Sequence, residues 1–210
     1  MKDLIIIGAG GFSRELLQWI KHSNAVNPRW NVLGFLDDDE TALDGYACDK
    51  KIIGSISNWD VKESEFYVCS LGVPTLKKRI VEEFKNKGAK FATIIHPKAV
   101  ISEFCHFGEG VIITANAKVS PNVTLGNFVT LLGSGVGHDA EIGDYSTISG
   151  YCSVNGWCKV GEGAFIGSNA VIAPRKTIGD WAFVGMGSMV INNVKPNSKV
   201  MGNPAKRINI

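Results

Sequence analysis

The sequence predicts a mixed fold in which a small α/β domain with a parallel sheet, residues 1–92, precedes a parallel β-helix of hexapeptide repeats, residues 93–210. Two observations support this fold class. The chain opens with a buried-strand pattern, a glycine-rich turn and a helical pattern, which together are typical of an α/β unit. Between residues 101 and 190 an aliphatic or aromatic residue returns every six positions, a period that indicates a β-solenoid.

The amino-terminal domain begins with an apolar strand at residues 2–7, and the glycine-rich residues 8–11 then turn the chain into a helix. Further strands are predicted at residues 32–36 and 66–71, and Thr75 is the candidate N-cap of a second helix. Strands that alternate with helices form parallel sheets, in which ligands bind beyond the carboxyl ends of the strands. The glycine turn lies at such a position.

The β-helix is marked by one apolar residue in each hexad. These marks are Ile101, Phe107, Ile113, Val119, Leu125, Leu131, Val136, Ile142, Ile148, Val154, Val160, Ile166, Ile172, Ile178, Val184 and Val190. Two positions before each mark the residue is small or β-branched, as a tight interior corner requires, and only Lys176 breaks this second series. Sixteen hexads would make roughly five three-sided coils, each burying its marks against the coils above and below.

One step of the repeat, from Leu131 to Val136, is five residues long where every other step is six. The coil must therefore shorten or bulge at residues 132–135, and such irregularities re-aim side chains beside active sites. His138 and Asp139 follow directly. Because neighbouring strand residues face opposite sides, pairing of these two side chains requires a corner or a bulge, and the short step is a candidate for providing it.

Composition excludes several classes of protein. The net charge is about +2 and no dense Lys/Arg stripe is present, so nucleic-acid binding is not predicted. The longest apolar run, residues 4–7, is far too short to span a bilayer, and Asp3 interrupts a signal-peptide pattern, so we predict a cytoplasmic protein without a membrane partner. Five cysteines form no CxxC pair, and Cys152 and Cys158 fall at interior positions, which predicts core packing.

The pairing of a glycine-turn domain with a hexapeptide repeat resembles the sugar acyltransferase family, which includes sialic-acid O-acetyltransferases and nucleotide-amino-sugar N-acetyltransferases. The tail at residues 202–207, Gly-Asn-Pro-Ala-Lys-Arg, is also typical of hexapeptide acetyltransferases. The resemblance covers essentially the whole chain. It implies half of a Rossmann fold, a left-handed β-helix, acetyl-CoA as co-substrate, no metal, and a homotrimer with active sites shared between subunits.

In this family the amino-terminal domain holds the nucleotide-linked sugar. The resemblance implies six substrate-binding residues: Gly10, Gly11 and Phe12 in the first loop, Asp37 and Asp38 after the second predicted strand, and Gly72 after the third. Two other interpretations stay open for the loop. A nicotinamide cofactor is disfavoured because Ser13 occupies the third glycine position of the dinucleotide fingerprint. The glycines could also make a tight turn without a ligand.

Acyl transfer from a thioester needs a base for the attacking amine or hydroxyl and donors that stabilise the oxyanion. Of the four histidines, His22 and His106 are predicted on the surface and His96 at the domain junction. His138 precedes an acidic residue, as the general base does in the family. The resemblance therefore implies His138 as the base and Asp139 as its orienting partner. It aligns Gly156 with the glycine whose N–H contacts the oxyanion.

The resemblance further implies a cofactor-binding set. Its members are Thr147, Ser168, Met186, Lys206 and Arg207. Acetyl-CoA would lie in a groove between subunits, with its pantetheine near Ser168 and Met186 and a phosphate near the basic tail. Thr147 stands where some amino-sugar N-acetyltransferases have a second histidine, which leaves the subgroup open.

The predicted function is acetyl-CoA-dependent N-acetylation of the amine of a UDP- or dTDP-linked amino-dideoxy sugar, by direct transfer without an acyl-enzyme. The closest alternative is O-acetylation of a sialic acid or another sugar hydroxyl by the same base. A non-catalytic solenoid that serves as an assembly platform is a second alternative, and the His138–Asp139 pair argues against it. Serine acetyltransferase shares the repeat but lacks the glycine-rich amino-terminal unit.

Overall fold

The structure is a computed structural model that describes residues 1–209. The amino-terminal domain is a five-stranded parallel sheet with one helix on each face, in the strand order β3-β2-β1-β4-β5. Its elements are β1 (Lys2–Ile7), α1 (Gly11–Val26), β2 (Trp30–Leu36), β3 (Ile52–Gly54), β4 (Phe66–Cys69), α2 (Pro74–Asn86) and β5 (Lys90–Phe91). No helix within residues 1–209 is long and apolar enough to cross a bilayer.

The central strand β1 is buried on both sides, as expected for a parallel sheet covered by helices. Leu4 and Ile6 pack in the cluster that includes Leu16 of α1, whereas Ile5 and Ile7 pack in the cluster that includes Val81 of α2. This alternation follows from the two-residue period of a strand. The sheet predicted from the sequence is therefore confirmed.

Several details of this domain differ from the sequence prediction. The short strands β3 and β5 were not predicted, β2 begins at Trp30 rather than Val32, and β4 ends at Cys69 rather than Leu71. Helix α2 begins at Pro74, with Val73 as the N-cap, so the prediction of Thr75 as the cap was wrong. Proline suits the first helical position because its fixed φ is already helical and the missing N–H has no helical partner there.

Residues 94–207 form a parallel β-solenoid with three faces. Face 1 contains Val100–Ile101, Lys118–Val119, Gly135–Val136, Ser153–Val154, Val171–Ile172 and Met189–Val190. Face 2 contains His106–Phe107, Thr124–Leu125, Glu141–Ile142, Lys159–Val160 and Thr177–Ile178. Face 3 contains Ile94–Ile95, Ile112–Ile113, Thr130–Leu131, Thr147–Ile148, Phe165–Ile166, Phe183–Val184, Lys199–Met201 and the antiparallel Lys206–Arg207.

In each coil the chain runs from face 1 to face 2 to face 3, and we call the turns between them corner 1–2, corner 2–3 and corner 3–1. The second residue of each two-residue strand is the predicted repeat mark and points inward, and the marks from Ile113 to Val190 are buried. The sixteen predicted marks lie six on face 1, five on face 2 and five on face 3, and face 3 has further strands at both ends of the solenoid. The predicted fold class of an α/β domain and a parallel β-helix is confirmed.

Most corners turn through a residue with left-handed backbone geometry. Its φ lies between 53° and 67°, for example at Asn122, Asp139 and Trp157 on corner 1–2. The short step predicted after Leu131 is present, because Lys118 pairs with Gly135, which is 17 residues further, whereas the pairs before and after it on face 1 are 18 residues apart. Gly133 adopts the left-handed conformation in that shortened turn, with φ 53°.

The amino-terminal domain docks on face 3 and corner 2–3. The Lys77 side chain of α2 is only 1% exposed, and its Nζ donates to Thr130 Oγ1 at 3.0 Å and to Thr147 Oγ1 at 2.9 Å on face 3. Ion pairs of 2.7 Å join Lys78 to Glu162 and Lys85 to Glu109 on corner 2–3. Face 1, face 2 and corner 1–2 remain outside this contact.

Candidate active site

The two turn residues of one corner 1–2 are His138 and Asp139, and their side chains form a hydrogen bond. His138 Nδ1 lies 2.7 Å from Asp139 Oδ2. Asp139 occupies the left-handed position with φ 58°, which bends its side chain back toward the preceding residue. Asn122, Trp157 and Arg175 have the same geometry in other corner 1–2 turns, so the pairing comes from an ordinary corner. Of the corner or bulge that the sequence required, the structure shows the corner, and the five-residue step does not supply the bend.

Asp139 is held from a second side by the coil before it. Asn122 Nδ2 donates to Asp139 Oδ1 at 3.1 Å, and Asp139 N–H donates to the Pro121 carbonyl at 3.1 Å. The hydrogen bond from His138 lowers the pKa of the Asp139 carboxyl, and the one from Asn122 lowers it further. The carboxylate therefore accepts the Nδ1 proton of neutral His138, which leaves the lone pair on Nε2.

Gly156 lies one coil above His138, in the same turn position. A Cβ atom at Gly156 would lie 2.8 Å from both Cε1 and Nε2 of the imidazole, so the missing side chain makes room for the basic edge of the ring. Within residues 1–209 the Gly156 N–H donates no hydrogen bond. A base with a free lone pair thus lies beside a free backbone donor, which is the pair of groups that acyl transfer requires.

Sequence reasoning missed three residues of this corner, namely Asn122, Trp157 and Arg175. Trp157 packs against the His138 ring, and the Arg175 guanidinium lies over the Trp157 ring. Asn122 lies 17 residues before Asp139, and Trp157 and Arg175 lie 18 and 36 residues after it. All of them occupy the same left-handed position in successive coils. Counting one coil length back from Asp139 and one and two coil lengths forward would have identified them.

The six predicted substrate-binding residues lie together at the carboxyl ends of β1, β2 and β4, which are neighbours in the sheet. Gly10 is the N-cap of α1 and has no side-chain cap, and a Cβ at Gly10 or at Gly72 would meet no atom within 4 Å. The structure therefore leaves open space in front of these two glycines. Gly11 and Phe12 form the first residues of α1 beside Gly10.

The two predicted acidic residues are already engaged. Asp37 Oδ2 accepts the Ala9 N–H at 2.7 Å, so this carboxylate ties the glycine loop to the end of β2. Asp38 accepts hydrogen bonds from the Ser55 hydroxyl and from the Ser57 N–H. These bonds lower the pKa of the Asp38 carboxyl, the one from Ser55 most strongly. Both carboxylates therefore lie at the predicted site and also hold its loops in place.

Thr147 lies between the domains rather than in a groove. It is 1% exposed, its hydroxyl donates to the Gly72 carbonyl at 2.9 Å, and it accepts from Lys77 Nζ. This placement is at odds with the prediction that Thr147 contacts a cofactor, because the residue is buried and its one hydroxyl proton is already donated to Gly72. Thr147 is therefore not part of the cofactor site proposed below.

The other predicted cofactor residues lie on a different corner from His138. Ser168 and Met186 occupy the same turn position of consecutive coils on corner 3–1, and Met186 is 74% exposed. Lys206 and Arg207 are exposed on the last strand of face 3, which ends the solenoid beside that corner. In a single chain the residues predicted to bind the sugar, to catalyse transfer and to bind the cofactor therefore occupy three separate regions of the surface.

The remaining histidines and cysteines have structural positions. His96 is buried at the domain junction, as predicted, and its Nε2 lies 3.2 Å from Nδ1 of His22, so His22 has a partner that the sequence did not indicate. His106 is exposed on face 2, as predicted. Cys152 and Cys158 are buried, and burial raises the pKa of both thiols, which disfavours a thiolate nucleophile. No group suited to a metal ion occurs within residues 1–209.

The structure joins an α/β domain to a hexapeptide β-helix that carries a His–Asp turn. This combination is typical of the class of hexapeptide-repeat acyltransferases. The PglD N-terminal domain family matches residues 3–84, and the GMPPB C-terminal domain family matches residues 90–174. The acetyltransferase domain of PglB from Neisseria gonorrhoeae FA1090 is 25% identical, over 99% of this chain and 100% of that one, with a TM-score of 0.86. These matches support a hexapeptide-repeat sugar acyltransferase, which is also what the sequence predicts.

Two other solved structures share the fold over the whole chain. Perosamine N-acetyltransferase from Caulobacter crescentus, solved in complex with CoA and GDP-perosamine, is 23% identical over 100% of this chain and 98% of that one, with a TM-score of 0.90. WeeI from Acinetobacter baumannii AYE is 24% identical over 99% of this chain and 100% of that one, with a TM-score of 0.86. The PglB domain has also been solved in complex with acetyl coenzyme A.

Proposed function

We propose that this protein transfers the acetyl group of acetyl-CoA to the amine of a nucleotide-linked amino sugar. The observation that carries the proposal is the geometry of one corner, where the 2.7 Å bond to Asp139 leaves His138 Nε2 free beside the unpaired Gly156 N–H. The acetyl-CoA complex of the PglB domain and the CoA and GDP-perosamine complex of perosamine N-acetyltransferase support the two substrates.

His138 is the proposed general base. Its Nε2 takes a proton from the sugar amine as the amine attacks the thioester carbonyl, while Asp139 holds Nδ1–H and stabilises the resulting imidazolium. The Gly156 N–H donates to the oxyanion of the tetrahedral intermediate. When the intermediate collapses, the carbon–sulfur bond breaks, and the imidazolium returns its proton to the departing thiolate of CoA. The products are the N-acetylated sugar and CoA.

We further propose a homotrimer in which neighbouring subunits complete each site. The amino-terminal domain occupies face 3 and corner 2–3, whereas His138 lies on corner 1–2 and Met186 on corner 3–1. A rotational arrangement of copies around one axis brings different corners of neighbouring solenoids together. Such an assembly could place the glycine loop of one subunit and the exposed Met186 side chain of another beside His138.

The direct test measures CoA release from acetyl-CoA with UDP-, dTDP- and GDP-linked 3-amino and 4-amino dideoxy sugars, with free sialic acid in parallel. Turnover with one nucleotide amino sugar is expected. Turnover only with sialic acid or another hydroxyl acceptor would assign the protein to O-acetylation. Absence of both turnover and CoA binding would favour the non-catalytic platform.

The matched variants are His138→Ala and His106→Ala. His106 is exposed on face 2, away from the corner, so its loss should leave turnover unchanged. Loss of the proposed base should lower kcat by about 100-fold or more, because general-base catalysis contributes on this order. Full activity in His138→Ala would remove His138 from the mechanism without affecting the family assignment.

A further inference from the structure

Trp157 and Arg175 form two layers above the catalytic turn. They follow Asp139 at intervals of one coil and share its left-handed geometry, with φ 57° and 61°. This conformation is unfavourable for side chains other than glycine, asparagine and aspartate. A tryptophan and an arginine at these two positions therefore need compensating contacts, and the structure shows them.

The Trp157 ring lies against the imidazole of His138. The ring centroids are 4.3 Å apart and the planes meet at 87°, an edge-to-face arrangement that is favourable for aromatic pairs. The backbone N–H of Trp157 also donates to the His138 carbonyl at 3.0 Å. The indole is 44% exposed, so it packs on the base while remaining open to an incoming substrate.

Arg175 covers the indole from the next coil. Its guanidinium carbon lies 3.9 Å from the centre of the Trp157 ring, within the range of a cation–π contact. Its backbone N–H donates to the Gly156 carbonyl at 3.0 Å, on the residue whose own N–H is the proposed oxyanion donor. Arg175 therefore contacts Trp157 and Gly156, the two residues of the coil below that lie beside His138. Its guanidinium packs on the indole and not on the His138 ring.

We propose that Trp157 is a positioning residue for His138 and that Arg175 acts through Trp157 by holding the indole in place. The hydrogen bond to Asp139 fixes one atom of the imidazole, and rotation about that contact would still displace Nε2. The indole provides a second contact, which keeps Nε2 above Gly156. The inference rests on the proposed function, because His138 is the proposed base.

The kinetic test compares Trp157→Leu, Trp157→Phe and Trp181→Leu. Trp181 has the same left-handed geometry, φ 57°, on corner 2–3, so its variant controls for the loss of a tryptophan from such a turn. We expect Trp157→Leu to lower kcat by about tenfold with the KM of acetyl-CoA unchanged within about twofold, because displacement of a catalytic group slows chemistry without weakening remote binding. Trp157→Phe should recover most of the rate. An unchanged kcat in Trp157→Leu would overturn the proposal.

A double-mutant cycle tests whether Arg175 acts through the indole. Arg175→Met should lower kcat by about threefold in the wild-type background and have no further effect in Trp157→Leu, since coupled residues are not additive. Arg79→Met, on the exposed surface of α2, is the control for loss of a positive charge. Equal effects of Arg175→Met in both backgrounds would show that Arg175 acts independently of Trp157.

An NMR measurement separates this proposal from the proposed function. With histidine labelled at Cε1 the protein gives four ring signals, and the one lost in His138→Asn identifies His138. We expect Trp157→Leu to shift and broaden that signal, and Arg175→Met to do so more weakly, while the signals of the other histidines stay unchanged. An unaltered His138 signal would contradict the positioning role even in a protein whose substrate is not yet identified.

Discussion

His138 and Asp139 are neighbours in the chain, and their side chains are joined by a 2.7 Å hydrogen bond because the second residue has φ 58°. On an extended strand these two side chains would point to opposite sides. The left-handed turn of the solenoid corner therefore brings the proposed base and its proposed orienting carboxylate together.

The first prediction concerns Asp139→Asn, which keeps the shape of the side chain but removes its charge. An amide that presents its NH2 group to Nδ1 would favour the neutral tautomer with the proton on Nε2, the atom that must accept the substrate proton. We expect kcat to fall by about 100-fold, with little change in the KM of acetyl-CoA. Steady-state kinetics with both substrates varied would check this, and a wild-type kcat would contradict the role of the carboxylate.

The second prediction compares Gly156→Ala with Gly150→Ala, two glycines in the same turn position of adjacent corners. A Cβ at Gly156 would lie 2.8 Å from the His138 ring, whereas the nearest atom to a Cβ at Gly150 is 3.9 Å away. Neither glycine has a positive φ, so both variants should fold. We expect Gly156→Ala to lower kcat at least about tenfold by displacing the imidazole, and Gly150→Ala to match the wild type in melting temperature and rate.

The third prediction concerns Thr147→Val at the domain interface. The substitution leaves the Gly72 carbonyl without its donor and removes one acceptor from Lys77, so we expect a loss of about 1–3 kcal/mol in the free energy of unfolding. Thr124→Val, at an exposed strand position of face 2, is the control. Denaturant titration measures the loss. A large rise in the KM of acetyl-CoA with unchanged stability would restore Thr147 to the cofactor site.

The fourth prediction concerns pH and the buried Lys77. Burial lowers the pKa of its amine from 10.5 to about 7, so between these values the folded protein binds fewer protons than the unfolded chain. Stability should therefore rise with pH across this window. We expect the free energy of unfolding of the wild type, minus that of Lys77→Met, to increase between pH 7 and pH 9. A flat difference would mean that the oxygens around Nζ keep the ammonium charged.

The fifth prediction tests the shared site by complementation. His138→Ala lacks the base, and Gly10→Asp would place a negative charge in the open space before α1, where the resemblance implies a diphosphate. Each variant alone should be nearly inactive. If each site combines one subunit's His138 with another subunit's glycine loop, co-expression should restore about a quarter of the sites by random mixing. Failure of any mixture to exceed the separate variants would favour a site within one chain.

The sequence predicted the repeat and its one irregularity with good accuracy. A six-residue period leaves a strong pattern because every mark must be buried against the marks of adjacent coils, and the interior marks are indeed buried. The amino-terminal domain was predicted less completely. Strand β3 has three residues and only half-buried side chains, so no apolar run identified it.

The sequence predicted individual residues of the candidate site but not how residues of different coils are arranged around them. His138 and Asp139 could be named because they are adjacent, but Asn122 and Trp157 are brought to them only by the height of one coil. The burial of Thr147 could not be predicted, because its position in the repeat is the same as that of exposed Thr124. The difference is the docked helix α2, which covers one face only.

By itself the sequence determined the two-part architecture, the one five-residue step in the repeat and the adjacency of His138 and Asp139, and it indicated the resemblance to sugar acyltransferases. These are properties of local pattern, since burial at fixed spacing and turn formation depend on residues close in the chain. The tertiary structure alone decided which corner each residue occupies and which face the amino-terminal domain covers. It also decided that Trp157 reaches the proposed base, because residues 18 positions apart meet only when consecutive coils stack.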